Sequence, residues 1–156
     1  MKLILIILVL GLVAAGYIYY LKSLPGGWEE KTISIDGHRI LVKIADTKEK
    51  REQGLQEVEK LGENEGMLFV FTAPPSLKLR RTSKPVTIWN KNLRFDLDIL
   101  WIQNFTVIRV DFLPKTEGSR TVNVDSPAGG ADMVIEVPAG WAAQNAINAG
   151  ALVLDI

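Results

Sequence analysis

The clearest alternation of apolar and polar residues runs from Lys31 to Ala45. Ile33 and Ile35 alternate with polar neighbours, and the alternation resumes after a short polar interruption. That interruption is Asp-Gly, a dipeptide typical of a two-residue β-turn. The pattern therefore predicts a β-hairpin whose turn lies at residues 36 and 37.

The residues after this hairpin predict a short helix and then a buried strand. In the stretch Asp46–Gly54, Asp46 is placed to cap a helix, Glu49 stands at the capping-box spacing, and Gly54 suits a helix end. The segment Glu65–Phe71 reads EGMLFVF, a continuous apolar run that is too short for a typical helix. We therefore interpret it as a strand buried on both faces.

The remainder of the chain predicts more short strands and a second short helix. The predicted strands are 86–90, 97–103, 107–112, an edge strand near 121–124, 133–138 and 151–156, and the helix lies within 141–150. Many short strands, hairpin turns and two short helices predict a mainly β (α+β) fold. We expect a small, mostly antiparallel sheet that curls toward a barrel or sandwich.

The N-terminal residues predict a membrane anchor. Leu3–Leu21 is an unbroken apolar run, which as a helix spans about 28 Å and is long enough to cross a bilayer. A cleaved signal peptide is the alternative, because Val13-Ala14-Ala15 resembles a cleavage site. We favour the uncleaved anchor because the apolar run is longer than a usual signal-peptide core.

These features predict the organisation of the chain. Residues 1–22 form an N-terminal transmembrane helix, residues 23–28 form a linker, and residues 29–156 form a single β-rich domain. A very short N-terminal tail usually stays in the cytoplasm. We therefore expect a single-pass membrane protein whose domain lies outside the cytoplasm, or a secreted domain if the segment is cleaved.

Composition excludes several kinds of chemistry. Lys and Arg together number 18, and Asp and Glu also number 18. Without the two lysines that flank the apolar run, 16 basic residues face 18 acidic residues, so we expect no nucleic-acid partner. The absence of cysteine excludes disulfides and thiolate metal sites, and the one histidine, His38, follows the hairpin turn as an expected solvated residue. We therefore expect no metal site and no cofactor.

Asp96 and Asp98 stand at the start of the apolar stretch that predicts strand 97–103. Residues two apart in a strand face the same side, about 6.5–7 Å from each other. Two carboxyls at that distance could flank a water as acid and base, or hold a hard cation. The structural alternative, which we favour, places Asp96 in a turn and has Asp98 accept backbone N–H bonds at the strand entrance.

Polar residues just before this pair form a second candidate site. Asn90, Lys91 and Asn92 offer donors and acceptors beside Trp89. Such a group suits a polar ligand stacked on an indole ring, although an ordinary Asn-rich turn is the structural alternative. The ligand-binding candidates from sequence are therefore Trp89, Lys91, Asn92 and Asp98.

Two other charged features have a structural and a functional interpretation. The basic cluster Lys78–Lys84 could contact anionic lipid headgroups near the anchor, but a solvated loop explains it as well. Glu136 stands between Ile135 and Val137 and so faces away from both. We expect Glu136 to be exposed to solvent or paired with a base across the sheet.

Six short motifs in a fixed order resemble domain of unknown function family 192, a bacterial and archaeal family. They are RxxGL at 51–55, EGMLFVF at 65–71, WNKNLRFDLDILWI at 89–102, SPAGGAD at 126–132, VIEVPAG at 134–140 and INAGALV at 147–153. The resemblance covers the chain from about the first hairpin to the end. It implies a small, largely β domain that often follows a signal peptide or anchor, and it implies no particular activity.

The resemblance also separates the two aspartates. Lys91, Asn92 and Asp98 match the family pattern, whereas Asp96 stands where the family tends to have proline. The Asp96–Asp98 pair is therefore a local feature of this chain, which weakens the expectation of a catalytic pair. Gln56 and Ala151 also depart from the pattern, so a family site that uses those positions would be altered here.

Three functions remain open from sequence. The first is a membrane-tethered domain that is not an enzyme and binds a polar ligand, either a small molecule or a glycan, or an envelope protein. The second is a hydrolase of envelope glycans that uses Asp96 and Asp98 as acid and base. The third is a structural or assembly module whose exposed strand edge pairs with another protein.

Overall fold

The computed structural model describes residues 27–56, 58–71 and 84–156. The predicted anchor, most of the predicted linker and the basic cluster apart from Lys84 lie outside these residues. Within the described ranges, no helix is both long and apolar enough to cross a membrane.

The described residues form a mainly β fold with two short helices, as predicted. The strands are β1 (Glu30–Ile35), β2 (His38–Ala45), β3 (Glu65–Val70), β4 (Thr87–Trp89), β5 (Leu97–Gln103), β6 (Thr106–Leu113), β7 (Asn123–Asp125), β8 (Met133–Pro138) and β9 (Val153–Leu154), and the helices are α1 (Lys48–Gln53) and α2 (Trp141–Gln144). Seven strands make one sheet in the order β6-β5-β8-β3-β2-β1-β9, and β4 pairs with β7. Only the β2–β3 pair among the named strands is parallel.

The predicted hairpin is confirmed. Ile35 pairs with His38 across a two-residue turn. Asp36 and Gly37 in that turn have φ values of 46° and 88°, which a two-residue hairpin turn of this kind requires. The Asp36 carboxylate accepts a 2.7 Å hydrogen bond from the backbone N–H of Leu152, so the turn is also tied to the C-terminal segment.

The helix after the hairpin is confirmed, but its predicted cap is wrong. Thr47 is the N-cap, because its extended backbone lets Oγ1 accept a 3.2 Å hydrogen bond from the Lys50 backbone N–H. The carboxylate of Asp46 instead accepts a hydrogen bond from Lys50 Nζ at 3.0 Å. Gly54 ends the helix at a φ of 50°, as its position in the sequence predicted.

Alternation along the strands divides the buried apolar side chains between the two faces of the large sheet. The cluster on one face, here the inner core, combines Ile33, Ile35, Val42, Leu68, Leu100, Ile102, Ile135 and Val137 with Trp141 of α2. The cluster on the other face, here the outer core, includes Leu55, Met67, Phe69, Ile88, Leu93, Leu97, Ile99, Trp101 and Val134. Strands β3, β5 and β8 contribute to both cores, so they are buried on both faces.

The two edges of the large sheet approach each other at one end. The backbone N–H groups of Gly150 and Val153 donate to the carbonyls of Val107 and Phe105, each at 2.8 Å, and the Val107 N–H donates to Ala151 at 2.9 Å. The sheet therefore curls into a half-barrel around the inner core, as the sequence predicted. The outer core lies on the opposite face, where α1 and the β4–β7 pair cover it.

Candidate binding site

A pocket opens on the outer-core face of the sheet, between α1 and the β4 region. Its volume is about 660 Å³, including the part of its mouth that is open to solvent. Apolar side chains of the outer core form its walls: Leu55, Phe69, Ile88, Leu93, Leu97 and Leu113. Polar and charged side chains also line it: Lys48, Arg51, Glu52, Gln53, Gln56 and Lys91. An apolar cavity with a few polar groups is the usual form of a small-molecule site.

Glu136 lines this pocket and is buried. On β8 it alternates with inner-core residues and so lies on the same face as Val134 of the outer core. Its cross-strand neighbours are Met67 and Ile99, both apolar. The expectation that Glu136 is exposed or paired with a base is wrong, because the β8 position is in the middle of the sheet rather than on a solvated face.

The Glu136 carboxyl has no hydrogen bond or ion pair with any other described residue. Burial raises its pKa from the ordinary 4.5 to about 8, because removing a carboxylate from water disfavours the charged form. At neutral pH the group is therefore predominantly a neutral carboxylic acid, with one O–H donor and acceptor oxygens facing the pocket. A buried, unpaired carboxyl with a displaced pKa in a pocket is a typical mark of a functional site.

The helix α1 supplies the charged groups at one side of the pocket. Lys48 and Glu52 form an exposed ion pair at 3.6 Å, one turn apart on the helix. Arg51 is held in place, because its Nη1 donates 2.8 Å hydrogen bonds to the carbonyls of Asp46 and Val70. Its guanidinium carbon also lies 5.5 Å from the ring centre of Phe71. The Arg51 side chain is therefore fixed by contacts to both ends of the β2–α1–β3 connection.

Trp89 and Lys91, two of the predicted ligand-binding residues, line the same pocket from the opposite side. Both are exposed, and Trp89 keeps 45 % of its surface accessible. The residue between them, Asn90, is 1 % exposed and fixes the segment. Its Nδ2 donates to the carbonyls of Pro114 at 3.0 Å and Lys115 at 3.3 Å.

The Asn90 side chain is therefore structural rather than ligand-binding, since its amide oxygen is also occupied. Oδ1 accepts a 2.7 Å hydrogen bond from the backbone N–H of Val122. The buried amide thus joins the β4 end to two other segments of the chain. This anchoring is what presents Trp89 and Lys91 to the pocket on a fixed piece of backbone.

The other two predicted binding residues do not line the pocket. Asn92 is exposed, with a φ of 52°, and its amide lies 3.4 Å from Oε1 of Gln56, which does line the pocket. Asp98 lies on the opposite face of the sheet, where its Oδ2 accepts a 3.0 Å hydrogen bond from the backbone N–H of Ala142 in α2. The structure therefore brings Trp89 and Lys91 together, places Asn92 beside them, and separates Asp98 from all three.

Asp96 and Asp98 each accept a backbone hydrogen bond. Asp96 is exposed and precedes β5, and its Oδ1 accepts from the Lys115 N–H at 2.8 Å. Asp98 is buried against α2, as described above. These contacts agree with the structural interpretation of the two aspartates. The glycan-hydrolase hypothesis stays a prediction, and neither carboxylate lines the pocket.

Metal-binding groups are not gathered at any point in the described ranges. No set of three or more His, Asp or Glu side chains there could hold a metal ion. His38 is exposed on β2, where the sequence predicted a solvated residue.

Sequence reasoning missed Glu136 as a site residue, although a signal was present. The run MVIEVP at β8 is apolar except for this one acid. Val134, two residues earlier, shares its face and is apolar, so the pattern could have indicated a buried carboxyl. The contribution of Arg51 and α1 to the same pocket had no local signal, because α1 and β8 are far apart in sequence.

The fold and pocket define a small half-barrel β domain with an apolar pocket that contains a buried acid. The model of the family DUF192, described as "Uncharacterized ACR", matches residues 31–154, and the chain belongs to this family. This membership confirms the resemblance seen in the six motifs.

Two solved structures have a similar fold. One is a "putative transcription regulator" from Sinorhizobium meliloti 1021, with 24 % identity, a TM-score of 0.69, and coverage of 83 % of this chain and 96 % of that one. The other is a protein of unknown function from Novosphingobium aromaticivorans DSM 12444, with 23 % identity, a TM-score of 0.67, and coverage of 85 % and 89 %. At these identities the likeness shows the fold alone. No curated protein matches the chain.

Proposed function

We propose that this chain is a binding module that takes a small molecule in the pocket between α1 and the β4 region. In this proposal residues 3–21 anchor it in the membrane and the β domain lies outside the cytoplasm. The proposal treats the protein as a binder, because the pocket combines apolar walls with a few polar and charged side chains, which is the usual form of a small-molecule site.

The observation that carries this proposal is the Glu136 carboxyl, which is buried and has no partner among the described residues. A buried carboxyl without a hydrogen bond costs about 1–3 kcal/mol or more of stability, so a purely structural role would favour an apolar residue at this position. A ligand that hydrogen bonds with the carboxyl would remove that cost. The apolar walls would bury the rest of the ligand.

Trp89 and Lys91 are the residues through which we expect the ligand to be recognised at the mouth. An exposed indole offers a flat apolar surface and Lys91 offers a charge, and both are held on the segment that Asn90 fixes. Asn92 lies at the margin of this site, where its side-chain amide donates a hydrogen bond to the lining residue Gln56. We leave Asp98 out of the proposed site because its carboxylate is bound to α2 on the other face of the sheet.

A thermal-shift screen of the full chain in mild detergent tests this proposal. Several hundred water-soluble aromatic and aliphatic compounds would be added at millimolar concentration. A compound at a hundred times its dissociation constant stabilises the folded state by about 2.7 kcal/mol, which raises Tm by several degrees. Each compound that raises Tm would then be titrated into Trp89→Ala and Leu41→Ala.

Leu41→Ala is the matched control, because Leu41 is also an exposed apolar residue, at 38 %, and does not line the pocket. The proposal predicts compounds that bind Leu41→Ala with the same affinity as the wild type and bind Trp89→Ala at least tenfold more weakly. Equal effects in the two variants, or no stabilising compound in the whole screen, would refute a binding function for this pocket.

A further inference from the structure

The charges of the described side chains that line the pocket do not balance. Among the residues that the structure describes, five charged side chains line it: Lys48, Arg51, Glu52, Lys91 and Glu136. Lys48 and Glu52 offset each other as an ion pair at 3.6 Å. With the Glu136 carboxyl neutral, the positive charges of Arg51 and Lys91 have no opposite charge among the described residues that line the pocket.

Both of these cations keep donors available. Arg51 uses Nη1 for its two backbone hydrogen bonds, and among the described residues its Nη2 and Nε have no hydrogen-bond partner. Lys91 is exposed, and its ammonium contacts no acid in the same ranges. A guanidinium that is already fixed loses little side-chain entropy when it binds an anion, and its planar donors match a carboxylate.

Glu136 adds to the same preference. Burial raises its pKa to about 8, so at pH 7 the group can donate a hydrogen bond to an anionic oxygen. A cationic ligand would instead require Glu136 to ionise, and Arg51 and Lys91 would repel it. A neutral ligand would leave both positive charges without an opposite charge.

We infer that the ligand of this pocket is a small organic anion with an apolar body, whose negative charge is offset by Arg51 and Lys91 and which accepts a hydrogen bond from Glu136. This inference rests on the proposed binding function and adds the chemical class of the ligand. The apolar body would contact the outer-core residues of the walls, such as Leu93 and Phe69.

Three probes of nearly the same shape test the inference by isothermal titration calorimetry on the full chain in mild detergent. They are 3-phenylpropanoate, 3-phenylpropanamide and 3-phenylpropylamine, which are anionic, neutral and cationic at pH 7. The expected order of affinity places the propanoate at least tenfold above the amide and the amine last. Lys91→Gln should weaken binding of the propanoate severalfold and leave the amide unchanged, and Lys31→Gln, an exposed lysine outside the pocket, should change neither.

The pH dependence gives a second, independent readout. If only the neutral form of Glu136 accepts the anion, the affinity for the propanoate falls about tenfold between pH 6 and pH 9, as the neutral fraction falls through a pKa of about 8. In Glu136→Gln, whose amide also carries a donor, that dependence on pH should disappear. Circular dichroism at each pH would verify that the protein stays folded.

The outcomes separate this inference from the proposed function. Tightest binding of the amine, with loss of that binding in Glu136→Gln, would overturn the anionic class and keep the pocket as a binding site. Equal affinity for all three probes would also overturn the anionic class and keep the pocket as a binding site. No binding of any probe, together with no stabilising compound in the screen described above, would overturn both.

Discussion

Replacing Glu136 with glutamine should make the protein more stable at alkaline pH. The carboxyl has a pKa of about 8 in the folded protein and an ordinary value of 4.5 when solvated. Between these two values the folded state binds more protons at this group than the unfolded state does. The stability of the folded state therefore falls as the pH rises through this window.

The magnitude follows from the two pKa values. The free energy of unfolding falls by about 1.4 kcal/mol for each pH unit within the window. From pH 5 to pH 9 the loss that belongs to Glu136 is on the order of 4 kcal/mol. This is a large part of the 5–15 kcal/mol that holds a typical domain folded. Glutamine has nearly the same shape and cannot ionise, so Glu136→Gln should remove this loss.

Urea denaturation of the full chain, followed by tryptophan fluorescence at half-unit steps from pH 5 to 9, measures the effect. The quantity to plot is the free energy of unfolding of Glu136→Gln minus that of the wild type, because contributions common to both proteins cancel. We expect it to be within about 1 kcal/mol of zero at pH 5 and to rise by several kcal/mol at pH 9.

Glu63→Gln serves as the control, because Glu63 is exposed and lies outside the pocket. The free energy of unfolding of Glu63→Gln should stay close to that of the wild type at every pH from 5 to 9. A flat difference for Glu136→Gln as well would show that burial does not hold the Glu136 carboxyl neutral, and it would refute the argument.

Three further substitutions test the structural assignments by the same denaturation assay. Asp98→Ala should lower the free energy of unfolding by about 1–3 kcal/mol, because it leaves the backbone N–H of Ala142 buried without its acceptor. Asp98→Asn keeps an acceptor oxygen and should lower the free energy of unfolding by less. Equal losses for the two variants would contradict the capping role of Asp98. Asn90→Ala should lower the free energy of unfolding by about 2–3 kcal/mol, because it removes the buried hydrogen bonds of the Asn90 side chain. A loss below about 0.5 kcal/mol would show that other contacts anchor the segment around Asn90. Gly66→Ala places a Cβ only 2.6 Å from the carbonyl oxygen of Glu136 and should lower the free energy of unfolding by about 1–3 kcal/mol. The control, Gly27→Ala, adds a Cβ in open space and should leave the stability unchanged. Similar values for the two variants would be inconsistent with the packing of β3 against β8.

Much of the local structure was predictable because its causes are local. The hairpin followed from the alternation around Asp36-Gly37, and β3 followed from an apolar run between turn residues. The N-cap of α1 was misassigned by one residue, because Asp46 and Thr47 are both good caps and the choice depends on which backbone is extended at that point.

The candidate site was predictable only in part. Trp89 and Lys91 stand in one short polar segment, so their association was visible in the sequence, and the structure places both at one pocket. Asp98 is close to them along the chain but faces α2, because the side chains of β5 alternate between the two faces of a sheet that is covered on both.

The sequence by itself determined the mainly β composition of this protein, its hairpin and buried strands, and its membership of a family through six ordered motifs. Those properties depend on residue spacing along a single stretch of chain. Only the tertiary structure decided that Glu136 is buried with no partner in the part of the chain that the structure describes, and that Arg51 and Lys91 share its pocket. The physical reason is that strand order and the curl of the sheet set which distant side chains meet, and burial by those neighbours sets the protonation of a carboxyl.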